Sequence, residues 1–321
     1  MISRASRAPW ARWLIRAVVS GCVIAVLLYL IPLAAVGDAL SRVSAWTWAA
    51  SVAIFFAGHY LNAIKLRLLL GSAPQTPDGG PQLVSSCVRA QYAGLVANLG
   101  LPGLAGGDLV RAVYLAPSVG LARVTVASVA DRLIDTATVL TLVVIALPIA
   151  GMPPAISGVV RQAGLWIAVA VPLAVAGVLA VRYVFSKPAV SAKLAGLRSA
   201  FSARPGAVAG AIAISFAVQS AFVMTNVWLA RQVGVTTSLA AWFVAWPLSK
   251  LIAILPISLG GIGVREAALV SLLTPYGAPG EAVLASGILW QSVLIVTGLV
   301  GLAVTQLIPH APRAAAAPKG I

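Results

Sequence analysis

Stretches of about 20 apolar residues recur along this chain, at about 13–34, 46–69, 124–149, 162–181, 206–230 and 283–308. That is the length at which an α-helix crosses the hydrocarbon core of a bilayer. Backbone polar groups at that depth must be satisfied within the segment, so the expected class is an all-α, polytopic membrane protein. Hydrophobic residues make up 60% of the chain and charged residues 9%, with a mean hydropathy of +1.00. No polar block is long enough to fold by itself, and residues 1–321 read as a single transmembrane domain. Trp13, Trp46, Trp48, Trp166 and Trp228 lie near the expected span ends, where interfacial tryptophans collect.

Several classes drop out on residue type. Arg4, Arg7, Arg12 and Arg16 precede an apolar run from Ala17 to Val36. That run is too long for a signal segment and reads as a retained first span. Ala311–Ile321 reads as a disordered tail. Cys22 and Cys87 suggest neither a disulfide framework nor a thiolate metal site. His59 and His310 show no metal-ligand spacing, and no cofactor is expected. The formal net charge of +15 fits positive-inside topology and anionic headgroups. The basic residues are dispersed among apolar spans without a basic fold module, which argues against nucleic acid.

Two regions, 82–117 and 239–275, share a motif. Leu101-Pro102 is followed by Gly106-Gly107 and Arg111, and Leu255-Pro256 by Gly260-Gly261 and Arg265, at identical spacing. A helix breaker, a glycine pair and a charge persist at membrane depth only inside protein or along a watery cavity. Matched interruptions in the two halves of a polytopic chain point to a transporter's binding site. Each region reads as a re-entrant helical hairpin between two spans, giving about six spanning helices plus two hairpins; full crossing by both would give eight. With the N-terminus inside, inner positions hold the basic residues from Arg4 to Arg16, Lys65, Arg67, Arg111, Arg123, those from Arg182 to Arg204, Arg313 and Lys319. Outer positions hold only Arg42, Arg161 and Arg231. This asymmetry places both termini in the cytoplasm and opens the hairpins to opposite sides, as in an inverted-topology repeat. The repeats are expected at about 46–149 and 206–308, joined by an amphipathic linker at about 187–204 with Val190, Leu194, Leu197 and Phe201 on one face.

The candidate binding residues gather at these breaks. A short helix should start after each glycine pair, with Asp108 as an N-cap and Arg111 one turn on, and with Gly263 before Arg265 and Glu266. Free N–H groups, a positive dipole end and a forked cation suit phosphate or carboxylate. The glycines Gly106, Gly107, Gly260 and Gly261 would let a headgroup approach that backbone. The plainer reading is that the glycines serve helix packing and each arginine pairs with a local acid. Asn98 would satisfy backbone groups freed at the first break. Asp131, Arg132 and Asp135 place charge early in the span 124–149; Arg132 and Asp135 would pair one turn apart, or Arg132 would join Arg111 around a ligand. His59, Asn62 and Lys65 share one side of the second span, with Lys65 and Arg67 expected to snorkel to the inner interface. Lys250 lies near no expected loop, and Gln291 is a polar residue in the last span.

Every carboxylate near a motif has an arginine close by, and no nucleotide loop or phosphatase constellation is visible. Asn98 through Arg111, then Asp131-Arg132, then Leu255 through Glu266, in that order, resemble the lysylphosphatidylglycerol synthase transmembrane-region family. This is the flippase-like module of the multiple peptide resistance factor. The resemblance covers roughly residues 15–308 and implies a multi-pass protein of a bacterial inner membrane that moves lipids between leaflets. In the full-length factor an aminoacyl-transferase domain follows; this sequence ends at Ile321 without one, so lipid aminoacylation is not expected. Family members often carry an arginine in the final span, where Gln291 stands here. The expected function is therefore non-enzymatic transport of an anionic or lipid-linked substrate, with Arg111 and Arg265 holding the headgroup. Two alternatives are a membrane enzyme acting on a polyprenyl- or lipid-linked substrate and a non-catalytic partner of a lipid-modifying enzyme. The lipid, the direction of transport and the oligomeric state are not set by the sequence.

Overall fold

The computed structural model describes residues 41–71, 81–100, 105–151, 204–253 and 263–307. The expected spans at 13–34 and 162–181, nearly all of the linker, and Gly260 and Gly261 lie outside these residues. The described residues form eight α-helices and one short 3-10 turn. In chain order they are α1 (Ala45–Leu70), α2 (Pro81–Gly100), α3 (Ala105–Val119), α4 (Leu121–Ala150), α5 (Pro205–Gln232), α6 (Leu239–Ala253), α7 (Val264–Leu273) and α8 (Gly280–Leu307). Helices α1, α4, α5 and α8, of 26, 30, 28 and 28 residues, are long and apolar enough to cross a membrane. Their ends fall within a few residues of the expected spans.

Local chemistry accounts for the boundaries. Helix α2 is described as far as Gly100, and Leu101-Pro102 follows it in the sequence. Helix α1 stops at Gly71, whose φ of 70° allows its N–H to return to the Arg67 carbonyl at 3.3 Å. Pro205 opens α5 at the position where a missing N–H costs nothing. Large apolar side chains such as Leu133, Val144, Ile149, Leu299 and Leu307 remain exposed. For a membrane helix this is the lipid-facing surface, not a defect of packing.

Helix α1 packs along α5, α2 against α3, and α6 against α7. The shorter helices also cross between halves: α2 packs on α8 and α6 on α4. Helix α1 further contacts α4 and α8, and α5 contacts the same two. Small residues permit the closest approaches. A methyl group at Gly301 would lie 2.8 Å from Tyr92 Cδ1, so α8 meets α2 over a bare backbone. Near the centre Phe55, Phe222, Trp246 and Trp290 form a buried aromatic wall, with Trp246 and Trp290 edge to face at 5.1 Å and Phe55 and Trp290 at 4.8 Å.

Candidate functional site

A cavity of about 200 Å³ opens between these helices. Its lining combines the aromatic wall with a set of charged side chains. Arg111 from α3, Arg132 from α4, Lys250 from α6 and Arg265 from α7 line it, together with Asp108, Asp131 and Asp135. The two motif arginines, 154 positions apart in the sequence, thus reach one hollow. Asn98 and Gly107 line it too.

The charges are organised in two groups. In the first, Arg111 donates from Nη1 to Asp108 Oδ1 at 3.1 Å and Asp131 Oδ2 at 3.3 Å, and from Nη2 to Gln91 Oε1. Arg132 grips Asp108 with Nε and Nη2, both at 2.8 Å. Lys65 Nζ sits 2.5 Å from Asp135 Oδ1 and 2.9 Å from Asp131 Oδ1, the latter an ion contact off the hydrogen-bonding direction. Ser215 adds a hydrogen bond to Asp135. In the second group, Arg265 donates to Glu266 Oε1 and, at 2.9 Å, to Gln291 Oε1. Glu266 Oε2 accepts the Gly263 N–H at 2.7 Å and so caps α7 from its third position. Arg265 also lies 5.7 Å from the centre of the Trp246 ring.

Three expectations are corrected here. Lys65 does not snorkel: its side chain is fully buried, because two carboxylates on α4 await it and a paired buried charge is far cheaper than an unpaired one. Arg132 does not pair with Asp135 one turn away; it takes Asp108 on the neighbouring helix, where a forked guanidinium meets both carboxylate oxygens. Asp108 is not an N-cap. It lies inside the first turn of α3, and its carboxylate is taken up by the two arginines. Gly107 also has a packing role: its N–H is held by Asn98 Oδ1 at 2.8 Å, and a methyl there would stand 2.6 Å from Asn98 Oδ1 and from the Gly94 carbonyl oxygen. Asn98 thereby satisfies a backbone N–H in the first turn of α3.

Lys250 is the cation that sequence reasoning left outside the site. Among the described residues it forms no ion pair, and its Nζ donates to Gln219 Oε1 at 3.0 Å. Its signal was a charge far from any loop. Gln91, Gln219 and the four aromatics carried no such mark. Five cations (Lys65, Arg111, Arg132, Lys250, Arg265) stand in and around the cavity against four carboxylates (Asp108, Asp131, Asp135, Glu266), which leaves one net positive charge. No cluster of His, Cys, Asp and Glu among the described residues could hold a metal ion.

The fold and the site together define a multi-pass helical membrane protein with a charged cavity between its helices. The family model for the lysylphosphatidylglycerol synthase TM region matches residues 13–301, so the chain belongs to that family. A comparison with curated proteins found no match.

Proposed function

We propose that this protein is a lipid flippase that carries an anionic or lipid-linked substrate between the leaflets of a bacterial inner membrane, without chemical turnover. The observation that carries the reading is the convergence of Arg111 and Arg265, from two separate motif helices, on one cavity. A space of about 200 Å³ is below the range of pockets that enclose whole drug-sized ligands, so it suits a headgroup whose acyl chains stay in lipid. The net positive charge of its walls favours an anion.

The family supports lipid as the medium of action. The packing supports two related halves, α1–α4 and α5–α8: α2 on α8 answers α6 on α4, and α1 on α8 answers α5 on α4. In this reading α2–α3 and α6–α7 are re-entrant hairpins of an inverted repeat, the basic residues keep both termini in the cytoplasm, and transport is one half rocking on the other. A lipid-modifying enzyme is a natural partner, supplying or consuming the transported lipid.

The test is translocation of a fluorescent anionic lipid in proteoliposomes. Loss of the motif arginines leaves Asp108 with Arg132 and Asp131 with Lys65 but takes the cation from Glu266, and glutamine, which keeps an N–H donor where alanine has none, is the cleaner substitution. The double variant Arg111→Gln with Arg265→Gln should insert and stay folded at lowered stability, because Glu266 loses its cation, yet lose translocation at matched insertion. Wild-type rates in that variant would refute the site.

A further inference from the structure

Resting on the flippase reading, and deepening it, we infer that the cavity selects a singly charged phosphodiester headgroup, held by Lys250 and by the Nε2–H of a neutral His59. The argument begins at Arg111. A guanidinium can only donate, so the Gln91 atom that it meets is the amide oxygen. The amide nitrogen of Gln91 then faces His59 Nδ1, at 2.9 Å. That nitrogen is itself a donor, so Nδ1 must accept, and the ring proton resides on Nε2. A doubly protonated ring would set N–H against N–H. The chain Arg111–Gln91–His59 therefore fixes one tautomer.

His59 Nε2 is buried and finds no hydrogen-bond partner among the described residues. A buried donor left without an acceptor is costly, and its persistence at a binding cavity is explained if a ligand accepts from it. Lys250 lines the same cavity, forms no ion pair among the described residues and donates to the neutral Gln219, while the nearby Asp135 is paired with Lys65. The other cations are neutralised by Asp108, Asp131, Asp135 and Glu266. Among the described residues, one surplus cation and one neutral donor match one phosphodiester: the ammonium balances its charge and the imidazole N–H takes a second oxygen. A phosphomonoester would bring further negative charge with no buried partner to meet it.

The test is equilibrium binding to the full chain in nanodiscs of uncharged phospholipid, by calorimetry. The probes are dioctanoyl phosphatidylglycerol, dioctanoyl phosphatidic acid and lipid-free glycerophosphoglycerol. The diester lipid should bind at least roughly tenfold tighter than the monoester, the measure of one poorly compensated charge. Lys250→Met should weaken the diester lipid by roughly tenfold or more while leaving thermal stability intact, since it removes a buried charge that has no acid partner. His59→Leu should weaken it roughly threefold to tenfold, the range of one hydrogen bond, and His59→Gln should largely restore it through its amide N–H. Nitrogen NMR of labelled histidine should find the proton on Nε2. Equal or tighter binding of phosphatidic acid, unchanged binding in His59→Leu, or a proton on Nδ1 would overturn the inference. Weak binding of glycerophosphoglycerol would support a lipid as the source of the diester; binding as tight as the lipid would overturn that assignment in favour of a water-borne one. Selective binding without translocation would defeat the flippase reading alone, and translocation without selectivity would defeat this inference alone.

Discussion

Lys65→Met gives the sharpest test of the charge network. The ammonium is fully buried, 2.5 Å from Asp135 and 2.9 Å from Asp131. Methionine keeps most of the stem, so packing changes little and the charge is what disappears. Asp131 retains Arg111, but at 3.3 Å, and Asp135 retains the Ser215 hydroxyl as its one hydrogen bond among the described residues, with Lys250 near it but not paired. Removing one partner of a buried ion pair costs about 3–5 kcal/mol, whereas neutral side-chain hydrogen bonds between membrane helices average about 0.6 kcal/mol. The first figure applies, because a carboxylate stranded in the bundle has no comparable partner in lipid. The unfolding constant should therefore rise by between about a hundredfold and a few thousandfold, at 1.4 kcal/mol per decade. Reversible unfolding in mixed micelles or bicelles would measure it. Lys65→Met with Asp135→Asn should recover part of the loss, because the stranded charge is then removed as well. A loss below about 1 kcal/mol in the single variant, with no recovery in the double, would refute the claim that these charges depend on one another for burial.

Further outcomes follow from the same geometry. Gly107→Ala should destabilise by about 1–3 kcal/mol, because a methyl there meets Asn98 Oδ1 and the Gly94 carbonyl at 2.6 Å; thermal melts in detergent will show it. Gly206→Ala, where nothing lies within 4 Å in the first turn of α5, should be neutral or stabilising by up to about 1 kcal/mol in the same melts. Asn98→Ala should cost about 1 kcal/mol by releasing the Gly107 N–H. Asp108→Asn should leave the cavity one charge more positive and tighten binding of an anionic short-chain lipid, as read by calorimetry; weaker binding would mean that Asp108 itself serves the ligand.

Span lengths made α1, α4, α5 and α8 readable from the sequence, since crossing a bilayer imposes a length that few other constraints impose. The convergence of Arg111 and Arg265 was anticipated from their matched spacing. The ion pairs were not. Lys65 meets Asp135 from 70 residues away and Arg132 meets Asp108 from 24, whereas the sequence pointed Lys65 to the interface and Arg132 to its neighbour Asp135. Lys250 stood out as a misplaced charge, but what distinguishes it is that it forms no ion pair among the described residues, a fact of three dimensions. The tautomer of His59 is likewise invisible until Gln91 and Arg111 are in contact. Phe55, Phe222, Trp246 and Trp290 line the cavity, yet by sequence they match aromatics that face lipid.

The most direct test is photocrosslinking with phosphatidylglycerol carrying a photoreactive group on its headgroup, incorporated into vesicles with the protein and read by mass spectrometry of the labelled peptides. A headgroup seated in the cavity will label the segments around Lys250 and Trp290, and Lys250→Met will suppress both adducts. Labelling confined to the exposed face of α4, at residues such as Leu133, Val144 and Ile149, would show that the lipid only bathes the protein and would contradict a headgroup site between the two motif arginines.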